Sequence, residues 1–414
     1  MDWLAPSLAV LGVGGVVLAL VSGPLERWVP VSEPLVALAA GVLVGPAALG
    51  LVRLEQELVD VLLLEGSRVL LAASVMAAAL RYPWESLRGL LRPTVVLLAV
   101  VMPLAALATA ASALVLAVPV SLALLVGACL APTDPVLAAA VVSGEPAERT
   151  LPHRVRALLT LESGANDGLG VVLVVVLVAV VLPAQGVVHA LGLVAWEVGA
   201  GLAVGGLVGW LAGLGLSHAD RHDDVGEGPE LVYTLLLAVG VLGVARTVEA
   251  AGVLAVFVAG LVYNRFAGSS PREKQDAVDE GINKYAVLPL VAVLGAVLPW
   301  GTWADWGWRA AVFAGLVLLL RRLPVLLALR RPLGVAAHQA GFMGFFGPMG
   351  VSALFYLAHA RHEGVHDPAL WGAVTLAVAV SVVVFGLTGA PGRRAYARRH
   401  GHEGDVEQQP SPAV

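Results

Sequence analysis

Charged residues are scarce in this 414-residue chain. They make up 13% of it, whereas 58% of the residues are hydrophobic and the mean hydropathy is +0.86. A soluble domain holds about 25% charged residues, and no soluble fold could bury so much apolar surface. The single cysteine, Cys129, excludes an internal disulfide and is expected to be a small core residue. No basic stripe or nucleotide-binding motif occurs, so no nucleic-acid partner is expected. The sequence therefore predicts an integral protein of the lipid bilayer.

Thirteen apolar segments can be counted, using the rule that about 20 residues cross the hydrocarbon core. The predicted fold class is accordingly all-α and polytopic. The first segment lacks the basic stretch of a secretory signal, so it is expected to be retained as a transmembrane helix. The segments begin near Leu4, Glu33, Val59, Thr94, Val120, Val155, Val187, Glu230, Gly252, Ala286, Trp308, Ala336 and Pro368.

The distribution of lysine and arginine predicts the orientation, because cytoplasmic loops carry an excess of both. With the N-terminus outside, eighteen of these residues fall on the cytoplasmic side, and three fall within helices. The opposite side receives only Arg53, Arg246, Arg309 and Arg361. We expect a multi-pass protein of the plasma membrane, with a transmembrane domain over 1–389. Residues 390–414 are expected to be a short, disordered cytoplasmic tail with solvated histidines.

Two segments contain helix-breaking residues in the middle of the membrane. Segment five has Ala131-Pro132-Thr133-Asp134-Pro135, and segment twelve has several glycines around Pro348. Irregular backbone at that depth is tolerated only where it is buried in protein or lines a water-filled cavity. Interrupted helices in corresponding positions of two halves mark the binding site of a transporter. We therefore predict two inverted repeats of six helices, about 4–183 and 230–389, whose broken helices five and twelve cross.

The segment Glu162-Ser163-Gly164-Ala165-Asn166-Asp167-Gly168 places two acids in an apolar run. Charges inside a bilayer are costly and are usually paired or line an ion path. Ser163 and Asp167 share a helix face, and Asp167 can lie opposite Thr133 and Asp134. Carboxylate, hydroxyl and carbonyl oxygens are the ligands that hard cations prefer. We predict that a monovalent cation and a proton compete for Asp167, with Asp134, Thr133 and Ser163 completing the cation's shell.

A second stripe of the same helix carries Glu162 and Asn166, about 100° round from the first. Segment eleven offers Arg321 and Arg322 in an otherwise apolar run. We predict a structural network in which Arg322 pairs with Glu162, and Arg321 is the alternative partner. Breaking a buried ion pair is costly because it leaves one charge without a partner.

Taken together, these motifs resemble the NhaP-type monovalent cation:proton antiporters. The resemblance is closest to the fungal plasma-membrane Na⁺/H⁺ antiporters and their bacterial relatives, and it spans about residues 5 to 390. Many NhaP-type members have arginine where Met349 stands, so no role for that charge transfers here. The motifs are Thr133-Asp134-Pro135, Glu162 to Gly168, Arg321-Arg322-Leu323-Pro324, Phe346-Gly347-Pro348-Met349-Gly350-Val351, Gly41 to Pro46 and Gly252 to Leu261.

The resemblance implies about thirteen helices, a homodimer, and a core domain that carries the site against a dimerisation domain. It gives Asp167 the ion- and proton-binding role and makes Thr133, Asp134 and Ser163 companion ligands. It assigns Glu162, Asn166 and a membrane arginine to a stabilising network. No cofactor and no enzymatic activity are expected.

Two other functions remain open on the same residues. A sodium-coupled symporter of an organic anion shares the crossed broken helices. An intramembrane aspartyl hydrolase would use Asp134 and Asp167 as its pair of acids. The choice among Na⁺, Li⁺ and K⁺, the exchange ratio and the pH set-point also stay open, because cavity size and ion hydration decide them.

Overall fold

The computed structural model describes residues 31–82, 84–142, 145–182, 186–220, 227–266 and 285–400. Within these ranges the chain forms helices joined by short turns, and no strand is present. Twelve of the thirteen predicted segments coincide with a helix or a pair of helices. The segment predicted near Leu4 lies outside the described residues, as does His402. The all-α polytopic fold class is confirmed.

In the first half of the chain, proline and glycine decide where the helices are interrupted. Pro135 opens a helix at its first position, where a missing N–H costs nothing. The residues before it, 131–134, have no helical hydrogen-bond ladder. The helices of this half are α1 (Glu33–Val44), α2 (Gln56–Leu80), α3 (Leu91–Leu116), α4 (Val120–Leu130), α5 (Pro135–Val142) and α6 (His153–Val181).

The second half repeats this interruption. Gly347, Pro348 and Gly350 separate α14 from α15. Short helices at Trp84–Arg88, Glu145–Glu148 and Arg330–Leu333 connect the longer elements of the two halves. The helices of the second half are α7 (Val187–Asp220), α8 (Glu227–Thr247), α9 (Gly252–Asn264), α10 (Leu288–Ala296), α11 (Trp300–Trp306), α12 (Trp308–Leu320), α13 (Leu323–Ala328), α14 (Ala337–Phe345), α15 (Val351–His362) and α16 (Pro368–His400).

Six described spans are long and apolar enough to cross a membrane, with α12 and α13 counted together as one of them. A seventh results if α10 and α11, bent by 61°, also count as one. The number is below thirteen partly because the interrupted segments divide into short pieces. With 11 residues, α4 is about 17 Å long at 1.5 Å per residue. That is about half of a 30 Å hydrocarbon core. The broken helices therefore end near the middle of the membrane.

The C-terminal helix extends further than expected. Residues 390–400 were predicted to begin a disordered tail, but α16 continues through Pro391 to His400. Apolar packing explains the difference, because Tyr396 meets Phe342 edge-on at a centroid distance of 5.2 Å. His400, predicted to be solvated, stacks on His338 at 4.0 Å. Residues 401–414 lie outside the described part of the chain.

Small residues bring several helix pairs into backbone contact. On α1, a side chain at Gly41 would lie within 3.0 Å of three backbone atoms of Ala292 on α10. On α7, Gly209 has the same relation to Ala259 of α9. Without a hydrophobic driving force between helices in lipid, such close van der Waals packing is a main source of association. Gly41 and Gly209 are therefore positions at which helices pack closely.

We predict that Gly41→Ala destabilises the protein by about 1–3 kcal/mol, because the added methyl group would overpack the contact between α1 and α10. Gly240→Ala is the matched control, since a methyl group there meets open space and raises helix propensity. Thermal unfolding of the two purified variants in detergent checks this. A melting temperature for Gly41→Ala equal to that of Gly240→Ala would contradict the packing.

Candidate ion-binding site

The two interrupted segments cross and bond to each other through their backbones. The amide of Asp134 donates to the carbonyl of Pro348 at 3.0 Å. Both segments are buried, so their remaining polar groups need partners within the protein. Gly350 has to lack a side chain, because a Cβ there would collide with the Asp134 carboxylate. The crossing is therefore a close backbone contact between residues 131–134 and 346–350.

The Asp134 carboxylate caps two helices at once. Its Oδ1 accepts from the amides of Val136 (2.7 Å) and Leu137 (3.0 Å), at the start of α5. Its Oδ2 accepts from the amide of Ser352 (3.3 Å), at the start of α15. Helix N-termini carry unsatisfied N–H groups and the positive end of the helix dipole, so they stabilise a negative group. Asp134, which is fully buried, is held in place by both halves of the chain.

Arg321 bonds to the backbone of both broken segments. Its guanidinium donates to the carbonyls of Leu130 (2.7 Å) and Pro132 (3.0 Å) in the first broken segment. It also donates to the carbonyl of Gly347 in the second. These carbonyls have no helical partner because the helices stop there. Arg321 thus neither pairs with Glu162 nor reaches the membrane surface; it satisfies backbone acceptors of both segments.

Arg322 pairs with Glu162, the partner chosen for it from the sequence. The two side chains form a bidentate ion pair, with N–O distances of 2.6 and 2.8 Å. Both are buried, at 2% and 1% exposure. Gly347 leaves room for the guanidinium, because a Cβ there would lie 2.6 Å from Arg322 Nε. Bidentate geometry supplies the two charge-assisted hydrogen bonds that a desolvated pair needs.

Asn166 was expected to lie with Glu162, on a different face of α6 from Ser163 and Asp167, but the structure differs. Its Nδ2 donates to Thr133 Oγ1 at 2.8 Å, so it contacts the broken segment directly. The reason is that α6 is surrounded: every residue from Val155 to Gly168 is buried. A helix packed on all sides presents both stripes to the crossing. Asn166 thus joins Thr133, whereas Glu162 reaches Arg322.

Asp167 is the buried acid that the surrounding protein leaves unsatisfied. Its side chain is 1% exposed, and neither carboxylate oxygen has a hydrogen-bond partner in the described part of the chain. Its backbone carbonyl accepts from the Tyr356 hydroxyl at 2.5 Å. Gly170 makes room for this contact, because a Cβ there would lie 2.6 Å from the Tyr356 ring. The Asp167 backbone is therefore fixed by a hydrogen bond, whereas its carboxylate oxygens accept none among the described residues.

Ser163 is close to Asp167 along α6, but its hydroxyl already donates to the carbonyl of Thr160 at 3.2 Å. A different hydroxyl, that of Ser352 on α15, lies beside the Asp167 carboxylate. Sequence reasoning missed both Ser352 and Tyr356. The glycine-rich break just before them was the available signal, since it shows that α15 begins at the crossing.

A cavity of about 200 Å³ lies one helical turn beyond Asp167, at Val171. Neither ring nitrogen of His359, on its wall, has a hydrogen-bond partner among the described residues. Glu65, in the predicted third segment, forms ion pairs with two arginines of the cavity wall. Its Oε1 lies 2.5 Å from Arg68 Nη1, and its Oε2 lies 2.9 Å from Arg246 Nη1. Val171 is the lining residue that belongs to α6, one turn from Asp167. The polar lining of the cavity consists of Arg68, Glu197, Arg246, Glu249 and His359.

Oxygen atoms dominate this set of side chains. Among the residues that the structure describes, no group of three or more histidine, cysteine or acidic residues is arranged to hold a metal ion. Carboxylate and hydroxyl oxygens, such as those of Asp167 and Ser352, are the ligands that hard cations prefer.

The fold and site define an ion-exchanging membrane transporter, and a comparison with known families agrees. The family described as the sodium/hydrogen exchanger, transmembrane, matches residues 16–392. The chain belongs to this family.

Individual relatives make the comparison more specific. The chain is 30% identical over 367 residues to a Na⁺/H⁺ antiporter of Schizosaccharomyces pombe, covering 84% of this chain and 78% of that protein. It is 27% identical over 274 residues to the K⁺/H⁺ antiporter NhaP2 of Shewanella oneidensis, covering 64% of this chain and 45% of NhaP2. The sodium proton antiporter MjNhaP1 of Methanocaldococcus jannaschii has a similar fold, with a TM-score of 0.74 at 18% identity. That match covers 96% of this chain and 98% of MjNhaP1.

Removal of one partner from the buried pair of Glu162 and Arg322 should be severe. We expect Arg322→Ala to lower the free energy of unfolding by about 3–5 kcal/mol, because Glu162 would remain charged and desolvated. The double variant Glu162→Met, Arg322→Met should recover much of that loss. Thermal unfolding of the purified proteins provides the measurement.

Arg246→Ala is the control for this prediction. Its ion pair with Glu65 is about half exposed, so its loss should cost no more than about 1 kcal/mol. A double methionine variant as unstable as Arg322→Ala would show that the desolvated charge is not the cause.

Proposed function

We propose that the chain exchanges a monovalent cation for a proton by alternating access, and that both ligands bind at Asp167. Membership of the sodium/hydrogen exchanger family supports cation:proton exchange as the class of activity. The observation that supports Asp167 is the contrast between two buried acids. Asp134 accepts three backbone hydrogen bonds, whereas both carboxylate oxygens of Asp167 have no partner among the described residues.

This contrast gives the two acids different roles. A carboxylate that receives three N–H groups is stabilised in its charged form without a ligand. A desolvated carboxylate with no partner is stable only when a proton or a cation neutralises it. The proton and the cation therefore compete for Asp167, while the Asp134 carboxylate beside it stays bonded to backbone donors. Competition at a site that opens alternately to each side is sufficient for exchange.

The companion residues follow from their positions. Thr133 is fixed by Asn166 and presents its remaining lone pair near the site. Asp134 supplies negative charge, and Ser163 supplies the hydroxyl one turn along α6. Glu162 and Arg322 form the network that holds α6 against the broken helices. In the exchange cycle, the cavity at Val171 is the approach to Asp167 from one side of the membrane.

A symporter of an organic anion is less well supported, because the cavity beside Val171 is walled by acidic as well as basic side chains. An intramembrane hydrolase would need one acid free to act as a base and the other as an acid, yet Asp134 is saturated by backbone donors. Na⁺ is the first candidate cation, because the relative from S. pombe is a Na⁺/H⁺ antiporter. K⁺ is the second, from NhaP2, and Li⁺ completes the set to be tested.

We expect Asp167→Asn to abolish exchange, because an amide can neither take up the proton nor balance the cation. Purified protein in liposomes with a pH-sensitive dye inside is given outward or inward gradients of Na⁺, K⁺ and Li⁺. The wild type should show cation-driven proton flux, and Asp167→Asn should match protein-free liposomes.

The control for this experiment is Asp305→Asn, which makes the same change at an exposed acid and should transport like the wild type. Cation-driven flux by Asp167→Asn above the protein-free level would contradict the assignment. Wild-type flux that requires an organic anion would favour the symporter.

We also propose that the N-terminus lies outside and the C-terminus in the cytoplasm of a plasma-membrane homodimer. The arginine distribution supports the orientation, and the family resemblance supports the location and the dimer. A fluorescent protein that matures only in the cytoplasm should fluoresce when fused after Val414. It should stay dark when fused after Gly364, in the turn between α15 and α16. The reverse pattern would overturn the orientation.

A further inference from the structure

The hydroxyl of Ser352 stands out among the buried polar groups near the crossing. Ser352 is 2% exposed, and its Oγ has no hydrogen-bond partner in the described part of the chain. It lies within reach of the Asp167 carboxylate, and neither group makes a hydrogen bond of normal length and angle among the described residues. Most buried hydroxyl groups in proteins find an acceptor, and a helical serine can usually bond to the carbonyl one turn back. Two adjacent orphan groups point to a ligand that binds between them.

Backbone contacts fix Ser352 in this position. Its amide donates to Asp134 Oδ2 at 3.3 Å, which ties the first turn of α15 to the first broken segment. One turn further along α15, the Tyr356 hydroxyl donates to the Asp167 carbonyl at 2.5 Å. The helix is therefore attached to both acids, which holds Ser352 close to the Asp167 carboxylate.

We propose that Ser352 supplies a hydroxyl ligand to the transported cation and thereby adds the second half of the chain to the ion shell. The proposal rests on the proposed function of Asp167. In the cation-bound state, the Ser352 oxygen offers a lone pair to the ion. In the protonated state, the same oxygen accepts the carboxyl proton of Asp167. One hydroxyl thus serves both states without moving far, because its oxygen offers a lone pair in each.

Ser163 and Ser352 differ in this respect. The Ser163 hydroxyl is already bonded to Thr160 within its own helix, whereas that of Ser352 is uncommitted. Ser352 also belongs to α15, so its distance from Asp167 depends on how α6 and α15 are arranged. A ligand shared between the two halves makes cation affinity sensitive to that arrangement.

The test measures apparent cation affinity in liposomes for the wild type, Ser352→Ala and Ser352→Cys. Loss of a charge-assisted contact should raise the KM for Na⁺ in Ser352→Ala by about tenfold, with a maximal rate within about twofold of the wild type. Loss of an oxygen ligand costs the cation more than loss of one neutral hydrogen bond costs the protonated carboxyl group. The proton therefore competes more effectively, and the pH of half-maximal exchange at fixed, subsaturating Na⁺ should move to more alkaline values. Ser112→Ala is the control, since that hydroxyl bonds only to the carbonyl of Ala108 in its own helix.

Ser352→Cys keeps a side chain of similar size but replaces a hard oxygen with a soft sulfur. With a reducing agent present, it should lose affinity for Li⁺ and Na⁺ while retaining more of its affinity for Tl⁺. A purely structural serine would shift all cations alike. This selectivity ratio keeps the proposal testable even if Ser352→Ala is too unstable to purify.

The outcomes separate the two proposals. Wild-type exchange that Asp167→Asn abolishes, together with unchanged KM, pH profile and Li⁺-to-Tl⁺ ratio in both Ser352 variants, would overturn the role of Ser352 alone. Absence of cation-driven proton flux in the wild type would overturn the proposed function first. A tenfold rise in KM that also occurs in Ser112→Ala would show a general packing effect and count against Ser352 as a ligand.

Discussion

Unwound backbone in the middle of a membrane must find every hydrogen-bond partner inside the protein, and this requirement organises the whole site. The two broken segments meet this need jointly, with a backbone bond from Asp134 to Pro348. The Asp134 carboxylate caps the helices that begin at the crossing, and the Arg321 guanidinium binds carbonyls of both segments. Since these groups satisfy one another, the crossing is rigid enough to leave one carboxylate, that of Asp167, without a partner. A looser site could relax to bond it.

The features that could be predicted from the sequence are those that carry a large free-energy cost in a bilayer unless a partner compensates for it. Proline and glycine in mid-membrane are expensive unless the backbone is buried, so the breaks before Pro135 and around Pro348 were recognisable. Two acids in an apolar run are expensive for the same reason, which identified the segment containing Glu162 and Asp167. The choice of Arg322 for Glu162 came from the need to neutralise a buried charge. Local residue chemistry and the low dielectric of the bilayer are enough to account for each of these features.

Features that depend on how helices rotate and approach could not be predicted in this way. Asn166 reaches Thr133 because α6 is enclosed on all sides, which helical periodicity alone does not reveal. Arg321 bonds to backbone carbonyl groups. Every residue has such a group, so the sequence does not indicate which ones accept. The contacts of Tyr356 and Ser352 depend on the register of α15 against α6. The helical continuation of α16 to His400 arises from tertiary packing on Phe342, against a composition that favours disorder.

The position of Arg321 in the chain has a consequence for biogenesis. The carbonyl of Leu130 is separated from its donor by 191 residues. At about 5–20 residues per second, the ribosome needs roughly 10–40 s to make the intervening chain. During that time the first broken helix has no guanidinium to satisfy its exposed carbonyls, and Asp134 has only one of its two helices to cap. Until Arg321 has been synthesised and inserted, these carbonyl groups need hydrogen-bond donors from water, the insertion machinery or another chain. Assembly of the crossing is a late step, completed only when α15 joins α6.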